Sequence, residues 1–177
     1  MNFLKKQGTA WVIAGIMIVI AIIIGSGKSG SKPSPMPEPP VSSIEPIGDD
    51  SFVRDLAGVL TAGEKRKLDD RNQKLLDDLN VVVACVTVNY GGRDLGDYAL
   101  RYAEELNLDL YDFIVVLDIS GENYWLLQGA GLLDLFSDSD CEYYANKYME
   151  KDFAKGDYGK ALLSLVDALS NWYYENA

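Results

Sequence analysis

An uncharged segment near the beginning of the chain limits what the first part of the sequence can fold into. Between Lys6 and Lys28 there are 21 residues without a charge, and the centre of this segment, from Trp11 to Ile24, is apolar throughout. At about 1.5 Å per residue, a helix of this length spans roughly 30 Å, which is the thickness of a bilayer's hydrocarbon core. The sequence therefore predicts one N-terminal transmembrane helix within residues 1–27 that anchors the chain.

Two other interpretations of the apolar segment stay open. Lys5 and Lys6 precede it, as in a signal peptide, and a cut after Gly27 would remove it. However, the segment is long for a signal peptide, and isoleucines fill the place where small residues would mark the cleavage site. Burial as a core helix is the third interpretation. We expect the uncleaved anchor.

The charges on either side of the predicted anchor do not set its orientation directly. Two lysines precede it, and Lys28 and Lys32 follow it, so the basic residues are balanced. From Glu38 onward the chain holds all 27 acidic residues and 12 basic ones, a formal charge of −15. The segment after the anchor has few of the basic residues that resist export. We therefore predict a single-pass protein of the plasma membrane with its C-terminal domain outside the cytoplasm.

Residues 28–50 have the composition of a linker. They are rich in Gly, Ser and Pro, and they contain all six prolines of the chain, from Pro33 to Pro46. Such a segment buries too little apolar surface to offset its chain entropy, and its proline-dense part favours extended, polyproline-like backbone. We predict a spacer between the membrane and the domain, with a PxxP ligand for a partner's groove as the alternative.

Residues 51–177 are long enough for one domain with a hydrophobic core. Thr61 and Glu64 have the spacing of a capping box, and Asp94 and Ser137 are further predicted helix N-caps. The predicted helices cover about 61–79, 94–106, a stretch from 137 onward, and 158–174, and the predicted strands cover 81–88, 113–119 and 124–128. Helices that alternate with strands, and a hairpin at the end, predict an α/β fold: a three-layer α/β/α sandwich with a small mixed sheet.

The residue types in the chain exclude several classes of function. There is no histidine, which removes His-dependent triads and zinc sites of the His type, and two cysteines cannot supply a four-cysteine site. The Gly-x-Ser-x-Gly, Walker and GxGxxG patterns are missing. The strongly negative charge argues against nucleic acid as a partner. Cys85 and Cys141 leave two options, a disulfide in an exported protein or two separate thiols.

The remaining candidate ligands are carboxylate oxygens, which suit hard cations such as Ca²⁺ or Mg²⁺. Asp118-Ile119-Ser120 ends a strand like the start of an integrin-type metal site, although a hairpin turn is the simpler interpretation. Asp134, Asp138 and Asp140 have part of the spacing of a calcium loop, with helix capping as the alternative. Asp112, at the entry to another predicted strand and beside the Gly129-Ala130-Gly131 turn, is the third candidate, with a solvated turn residue as the simpler interpretation.

Several segments resemble, in the same order, the motifs of the TPM domain family, which includes a thylakoid-lumen protein of plants and membrane-tethered bacterial proteins. Val53 to Thr61 (VRDLAGVLT) is similar to the opening V-x-D-x-A-G-x-L-S of the family. Asp112 and its strand, and later Gly129-Ala130-Gly131-Leu132, are similar to the D-N-G-x-L strand and the G-x-G-L-E turn. Phe136-Ser137-Asp138 resembles L-T-D, and Phe153-x-x-Gly156-Asp157-Tyr158 resembles F-x-x-G-D-Y. The resemblance covers nearly all of residues 51–174.

The resemblance implies an α/β/α sandwich with a mixed sheet. It also implies the binding of a divalent cation, Ca²⁺ or Mg²⁺, and, as in some members, weak acid phosphatase activity. By position, the ligands that it implies are Asp55, Asp112 and Asp138, with the backbone of Gly129 and Gly131 nearby.

The chain departs from the family pattern at three places. Phe113 and Ile114 stand where the pattern has Asn-Gly, and Leu133 replaces the Glu of G-x-G-L-E. The segment Leu106-Asn107-Leu108 lacks the W-G-I-G of the pattern. The loss of that Glu weakens the case for a metal or catalytic role.

Two functions follow as expectations. The first is a tethered, non-enzymatic module that binds protein partners in the cell envelope, because the chain combines an anchor, a spacer and a domain without an evident nucleophile. The second is a metal-dependent acid phosphatase, in which carboxylates hold the cation and activate water. Arg93 and Arg101 would then receive the phosphate. We expect the first.

Overall fold

The computed structural model describes residues 51–92 and 94–177. The predicted anchor (residues 1–27) and the predicted linker (residues 28–50) lie outside these residues, and so does Arg93. In the part of the chain that is described, no helix has both the length and the apolar character needed to cross a bilayer. The anchor and the boundary at residue 51 stay predictions.

Four strands and five α-helices follow one another in the described chain. The strands are β1 (Val53–Asp55), β2 (Val83–Val88), β3 (Phe113–Asp118) and β4 (Asn123–Gln128). The helices are α1 (Ala62–Leu79), α2 (Leu95–Glu105), α3 (Asp138–Tyr144), α4 (Glu150–Phe153) and α5 (Tyr158–Asn176). A 3₁₀ turn (Ala130–Leu132) follows β4, and a π-helical segment (Ala145–Met149) joins α3 to α4.

The three predicted N-caps, Thr61, Asp94 and Ser137, are confirmed. The Thr61 hydroxyl accepts a hydrogen bond from the backbone N–H of Glu64, whose carboxylate accepts one from the Thr61 N–H in return. Asp94 caps α2, and Ser137 begins α3 with a second reciprocal pair. Each cap satisfies N–H groups that have no partner inside the helix, so the sequence marks these boundaries locally.

The strands form one mixed sheet in the order β1-β2-β3-β4. β1, β2 and β3 run parallel, and β4 returns antiparallel to β3. Thr87 in β2 aligns with Asp55 on one side and with Leu117 on the other. The predicted hairpin is confirmed, because Asp118 at the end of β3 pairs with Asn123 at the start of β4.

Helices cover both faces of the sheet, as the continuous apolar runs of β2 and β3 require. On one face, Cys85 and Val115 pack in a cluster with side chains of α1 and α5. On the other face, Val86 and Val116 pack against α2. The prediction of a mixed α/β fold with a small mixed sheet is confirmed.

The connections between the parallel strands have opposite handedness. The chain steps in one direction from β1 to β2 and on to β3, yet α1 packs on one face of the sheet and α2 on the other. Two steps in the same direction over opposite faces cannot both be right-handed. One of the two connections is therefore left-handed, which is rare among strand–helix–strand units.

The two cysteines are separate, buried thiols. Cys85 lies in β2, and Cys141 lies in α3. Burial raises the pKa of both thiols above the ordinary value. Because the thiolate is the nucleophilic form, neither side chain has the environment of a reactive cysteine. Of the two options that the sequence leaves open, the structure shows two free thiols.

Candidate functional site

The carboxyl end of the parallel strands is the first place to look for a site. When helices leave neighbouring strands toward opposite faces, a crevice forms between the strand ends, and α/β proteins commonly bind ligands there. In this chain the crevice lies between β1 and β2. Its walls are the loops at residues 56–61 and 89–94, of which Arg93 is outside the described residues.

Asp55 ends β1 at this crevice, and its carboxylate is fully engaged by neighbouring groups. One oxygen accepts from the N–H of Val59 at 3.0 Å and from the Thr87 hydroxyl at 2.6 Å. The other accepts from the N–H of Leu60 at 3.0 Å and lies 3.7 Å from the Lys65 ammonium. The side chain is only 3% exposed. Asp55 therefore fixes the loop that leads into α1.

Asp118 ends β3 in the same way, and it is 2% exposed. Its Oδ1 accepts from the N–H groups of Tyr90 and Gly121, and from the hydroxyl of Ser120. Its Oδ2 accepts from the N–H of Gly91 at 2.9 Å. Asp118 thus ties the loop after β2 to the β3–β4 hairpin, and the hairpin interpretation of Asp118-Ile119-Ser120 is confirmed.

The amino end of the parallel strands carries Asp112, directly before β3. Its oxygens accept from the N–H of Val82 at 2.9 Å and from the N–H of Asp109 at 2.6 Å. Burial raises the pKa of the Asp112 carboxyl, and these two hydrogen bonds act in the opposite direction. The side chain therefore points toward the start of β2 and holds the turn before β3.

Two glycines of the turn after β4 pack against the turn before β3. The N–H of Gly129 donates to the Asp112 carbonyl at 2.8 Å, and the N–H of Gly131 donates to the Leu110 carbonyl at 2.8 Å. A Cβ atom on Gly129 would lie 2.3 Å from the Leu110 carbonyl oxygen, and one on Gly131 would lie 2.7 Å from the Tyr111 ring. Only glycine allows the two turns to approach this closely.

Asp138 lies at the same end, on the side of β4. It is exposed at the start of α3 and accepts a hydrogen bond from the Gln128 amide at 2.8 Å. The side-chain oxygen of the same Gln128 amide, Oε1, accepts a hydrogen bond from the Cys141 thiol at 3.0 Å. Ser137 and Asp140 form the capping box of α3, which confirms the capping interpretation of this acidic segment. Asp138 thus joins the end of β4 to α3.

Comparison with known sequences identifies the family. A family model described as the TPM domain matches residues 53–171. This chain belongs to the TPM domain family. Among curated proteins, no sequence matches the chain.

Solved structures share the TPM fold with this chain. The N-terminal domain of a P. gingivalis protein is 22% identical, with a TM-score of 0.63 over 69% of this chain and 81% of that one. The N-terminal domain of the Corynebacterium glutamicum protein cg2496 is 14% identical, with a TM-score of 0.57 over 74% and 85%. The BA42 protein of the psychrophilic bacterium Bizionia argentinensis is 16% identical, with a TM-score of 0.54 over 63% and 79%.

In this TPM domain the three carboxylates predicted as ligands do not come together. Through Thr87 of β2, Asp55 aligns with Leu117 of β3, and Asp112 comes five residues before Leu117. Asp55 and Asp112 are therefore roughly 16 Å apart along the strand direction. Asp112 and Asp138 share an end of the sheet with Gly129 and Gly131, but hydrogen bonds direct Asp112 toward β2 and Asp138 toward β4. Among the described residues, no group of three His, Cys, Asp or Glu side chains is placed to hold a metal ion.

The same end of the sheet also carries exposed apolar side chains, which were not predicted from the sequence. Leu110, Tyr111, Leu133 and Leu135 are between 49% and 63% exposed. The pattern contained one signal, because Leu133 stands where the TPM pattern has Glu. A second signal is the segment from Gly131 to Phe136 (GLLDLF), which has three leucines within a short turn. Only one of them, Leu132, is buried.

Proposed function

We propose that this TPM domain is a non-enzymatic binding module of the cell envelope, held at the plasma membrane by the N-terminal segment and placed outside the cytoplasm. One observation carries the proposal. Each of the three carboxylates at the ends of the parallel strands, Asp55, Asp112 and Asp118, uses its oxygens to accept main-chain N–H groups. These side chains serve the fold rather than present charge to a substrate.

The rest of the described interior supports the same proposal. All buried side-chain nitrogen and oxygen atoms of residues 51–92 and 94–177 have hydrogen-bond partners. Active sites commonly keep unpartnered polar groups in a cleft, where they are ready to act on a ligand. The thiols of Cys85 and Cys141, the strongest nucleophiles by residue type, are buried and protonated.

The donor set at the amino end of the sheet does not fit the divalent cation that the resemblance implies. Hydrogen bonds occupy both oxygens of Asp112, and the Gly129 carbonyl accepts from the N–H of Leu132. Leu133 offers no oxygen where the family pattern has Glu. Of the ligands that the resemblance implies at this end, Asp138 alone is an exposed carboxylate, and Ca²⁺ takes six to eight oxygen ligands. Cation binding therefore stays a prediction that rests on the resemblance alone.

Phosphate-ester turnover by the full-length chain tests the proposal against the metal-dependent acid phosphatase. We expect no turnover of p-nitrophenyl phosphate at acidic pH with added Mg²⁺ or Ca²⁺, and no cation-dependent shift of the melting temperature. Asp138→Ala serves as the matched variant because its carboxylate is exposed. Turnover that depends on the cation and falls in Asp138→Ala would establish the phosphatase instead.

Labelling from outside intact cells tests the proposed location. Glu175→Cys places a new thiol at an exposed position near the end of α5, and the buried native thiols give a low background. We expect a membrane-impermeant maleimide to label this variant in intact cells, and the label to stay with the membrane fraction. Labelling only after the cells are lysed would place the domain inside.

A further inference from the structure

We propose that an apolar patch at the amino end of the sheet docks a protein segment that carries apolar side chains next to Lys or Arg. The patch consists of Leu110, Tyr111, Leu133 and Leu135, and we call it the leucine–tyrosine patch. This inference rests on the proposed function, to which it adds the contact surface and the chemistry of the partner.

The fold brings the patch together from two turns that are 22 residues apart in sequence. Leu110 and Tyr111 lie in the turn before β3, and Leu133 lies in the turn after β4. The N–H of Gly131 donates to the Leu110 carbonyl, and the Tyr111 ring lies against Gly131. The backbones of the two turns are therefore in direct contact, and the four exposed side chains lie at the same end of the sheet.

The patch is exposed although its backbone is firmly held. Leu132 and Phe136, on either side of Leu133 and Leu135, are 2% and 1% exposed and anchor the second turn in the core. The Tyr173 hydroxyl donates to the Tyr111 carbonyl and anchors the first turn. Four of the six large apolar side chains that are exposed in the described residues belong to this patch. Exposed apolar side chains that are gathered in one region of a protein are typical of contact surfaces for other proteins.

The charge around the patch sets the chemistry of its partner. The two segments at this end of the sheet, residues 106–112 and 129–138, contain four acidic residues and no Lys or Arg. Asp109 and Asp134 are exposed within the two turns, and Asp138 is exposed next to them. Such a rim attracts a cationic segment and repels an acidic one. A second copy of this chain would bring the same acidic rim against itself, and an anionic bilayer would be repelled, so a basic partner protein is the occupant that fits.

Photo-cross-linking of the full-length chain in its native host tests the inference. Photo-reactive p-benzoylphenylalanine replaces Leu133 in one strain, and in the control strain it replaces Ala62, which is exposed at the start of α1 near the opposite end of the sheet. We expect an adduct with another protein from Leu133 and none from Ala62. Mass spectrometry of the adduct should place the cross-link in a segment with apolar residues next to Lys or Arg.

Charge reversal supplies the second measurement. Asp134→Lys combined with Asp138→Lys should lower the yield of the Leu133 adduct about tenfold, because close charge pairs with the partner are lost. Circular dichroism of each variant checks that the domain is folded.

Other outcomes would overturn the inference. One is an adduct from Leu133 with a second copy of this chain, with lipid or with residues 1–50 of the same chain. Another is an adduct with an acidic segment of a partner. A third is an adduct yield from Leu133 that is no higher than the yield from Ala62. A protein adduct from Ala62 alone would overturn the patch and leave the proposed function standing. No protein adduct from either position would count against the proposed function as well.

Discussion

The two ends of the sheet use similar residues in different ways. At the carboxyl end, Asp55 and Asp118 are buried and hold the loops that follow the strands. At the amino end, Asp112 has the same role, but glycine turns beside it expose Leu110 and Leu133 to solvent. At the end of the sheet where α/β proteins commonly bind ligands, these two carboxylates are thus engaged in structural hydrogen bonds, and the exposed apolar side chains lie at the other end. A carboxylate at the end of a parallel strand is therefore not by itself evidence for a ligand-binding site.

The largest expected loss of stability comes from a substitution at the carboxyl end of the parallel strands. Asp118→Ala removes four hydrogen bonds and leaves three main-chain N–H groups without their partner. We expect a loss of about 4 kcal/mol in the free energy of unfolding, since each of the four hydrogen bonds contributes about 1 kcal/mol. Chemical denaturation of the full-length chain measures it. Asp138→Ala, which removes one exposed hydrogen bond, is the control with an expected loss of about 0.5 kcal/mol. Equal losses in the two variants would remove the contrast between the ends.

A smaller loss of stability is expected where the two turns of the amino end meet. Gly129→Ala would place a Cβ 2.3 Å from the Leu110 carbonyl oxygen, so the backbone must move. We expect a loss of about 2 kcal/mol, which is typical of overpacking. Gly63→Ala is the matched control, because no atom lies within 4 Å of the added methyl group in α1. It should leave the stability unchanged or raise it by about 0.5 kcal/mol. A neutral Gly129→Ala would show that the two turns are not tightly packed.

The pH dependence of stability sharpens the comparison at Asp112. Burial raises the pKa of this carboxyl in the folded chain above its unfolded value. Its contribution to stability is therefore complete below the unfolded pKa and is lost as the pH rises through the folded pKa. We expect that lowering the pH from 7 to 4 stabilises the wild type relative to Asp112→Asn, as measured by denaturation at each pH. A difference that stays constant with pH, or that shrinks on acidification, would contradict the burial of this charge.

The smallest effect on stability is expected in the leucine–tyrosine patch. Leu133→Glu restores the residue of the family pattern at a position that is 49% exposed. We expect the free energy of unfolding to change by less than about 0.5 kcal/mol, as is usual for exposed positions. The yield of cross-links to the partner from a photo-reactive residue at position 110 should nevertheless fall strongly. A large loss of stability would mean that Leu133 serves the core rather than a contact.

Local signals in the sequence predicted most of the fold. Thr61, Asp94 and Ser137 cap helices through their own side chains, and the apolar runs of β2 and β3 need partners on both faces. The hairpin followed from the turn after Asp118. Each of these features depends on residues close in sequence, which is why the pattern alone was sufficient.

The candidate site could not be predicted in the same way. The separation of Asp55 from Asp112 depends on the register of β1, β2 and β3, which no local pattern contains. The patch depends on the contact between residues 110–111 and Gly131 across the β3–β4 pair. Family motifs indicated that both ends of the sheet carry characteristic residues. The motifs did not indicate which carboxylates accept hydrogen bonds from the main chain, because these bonds depend on where the fold places the main-chain N–H groups.

The most direct test of the account compares cross-linking from Leu110 in two backgrounds of the full-length chain. The photo-reactive residue replaces Leu110, and position 133 is either the native Leu or carries Leu133→Glu. If the two turns form one contact surface, the native background gives a protein adduct and the Leu133→Glu background loses it, while both proteins have the same melting temperature. Equal adduct yields in the two backgrounds would contradict the claim that this end of the domain acts by contact.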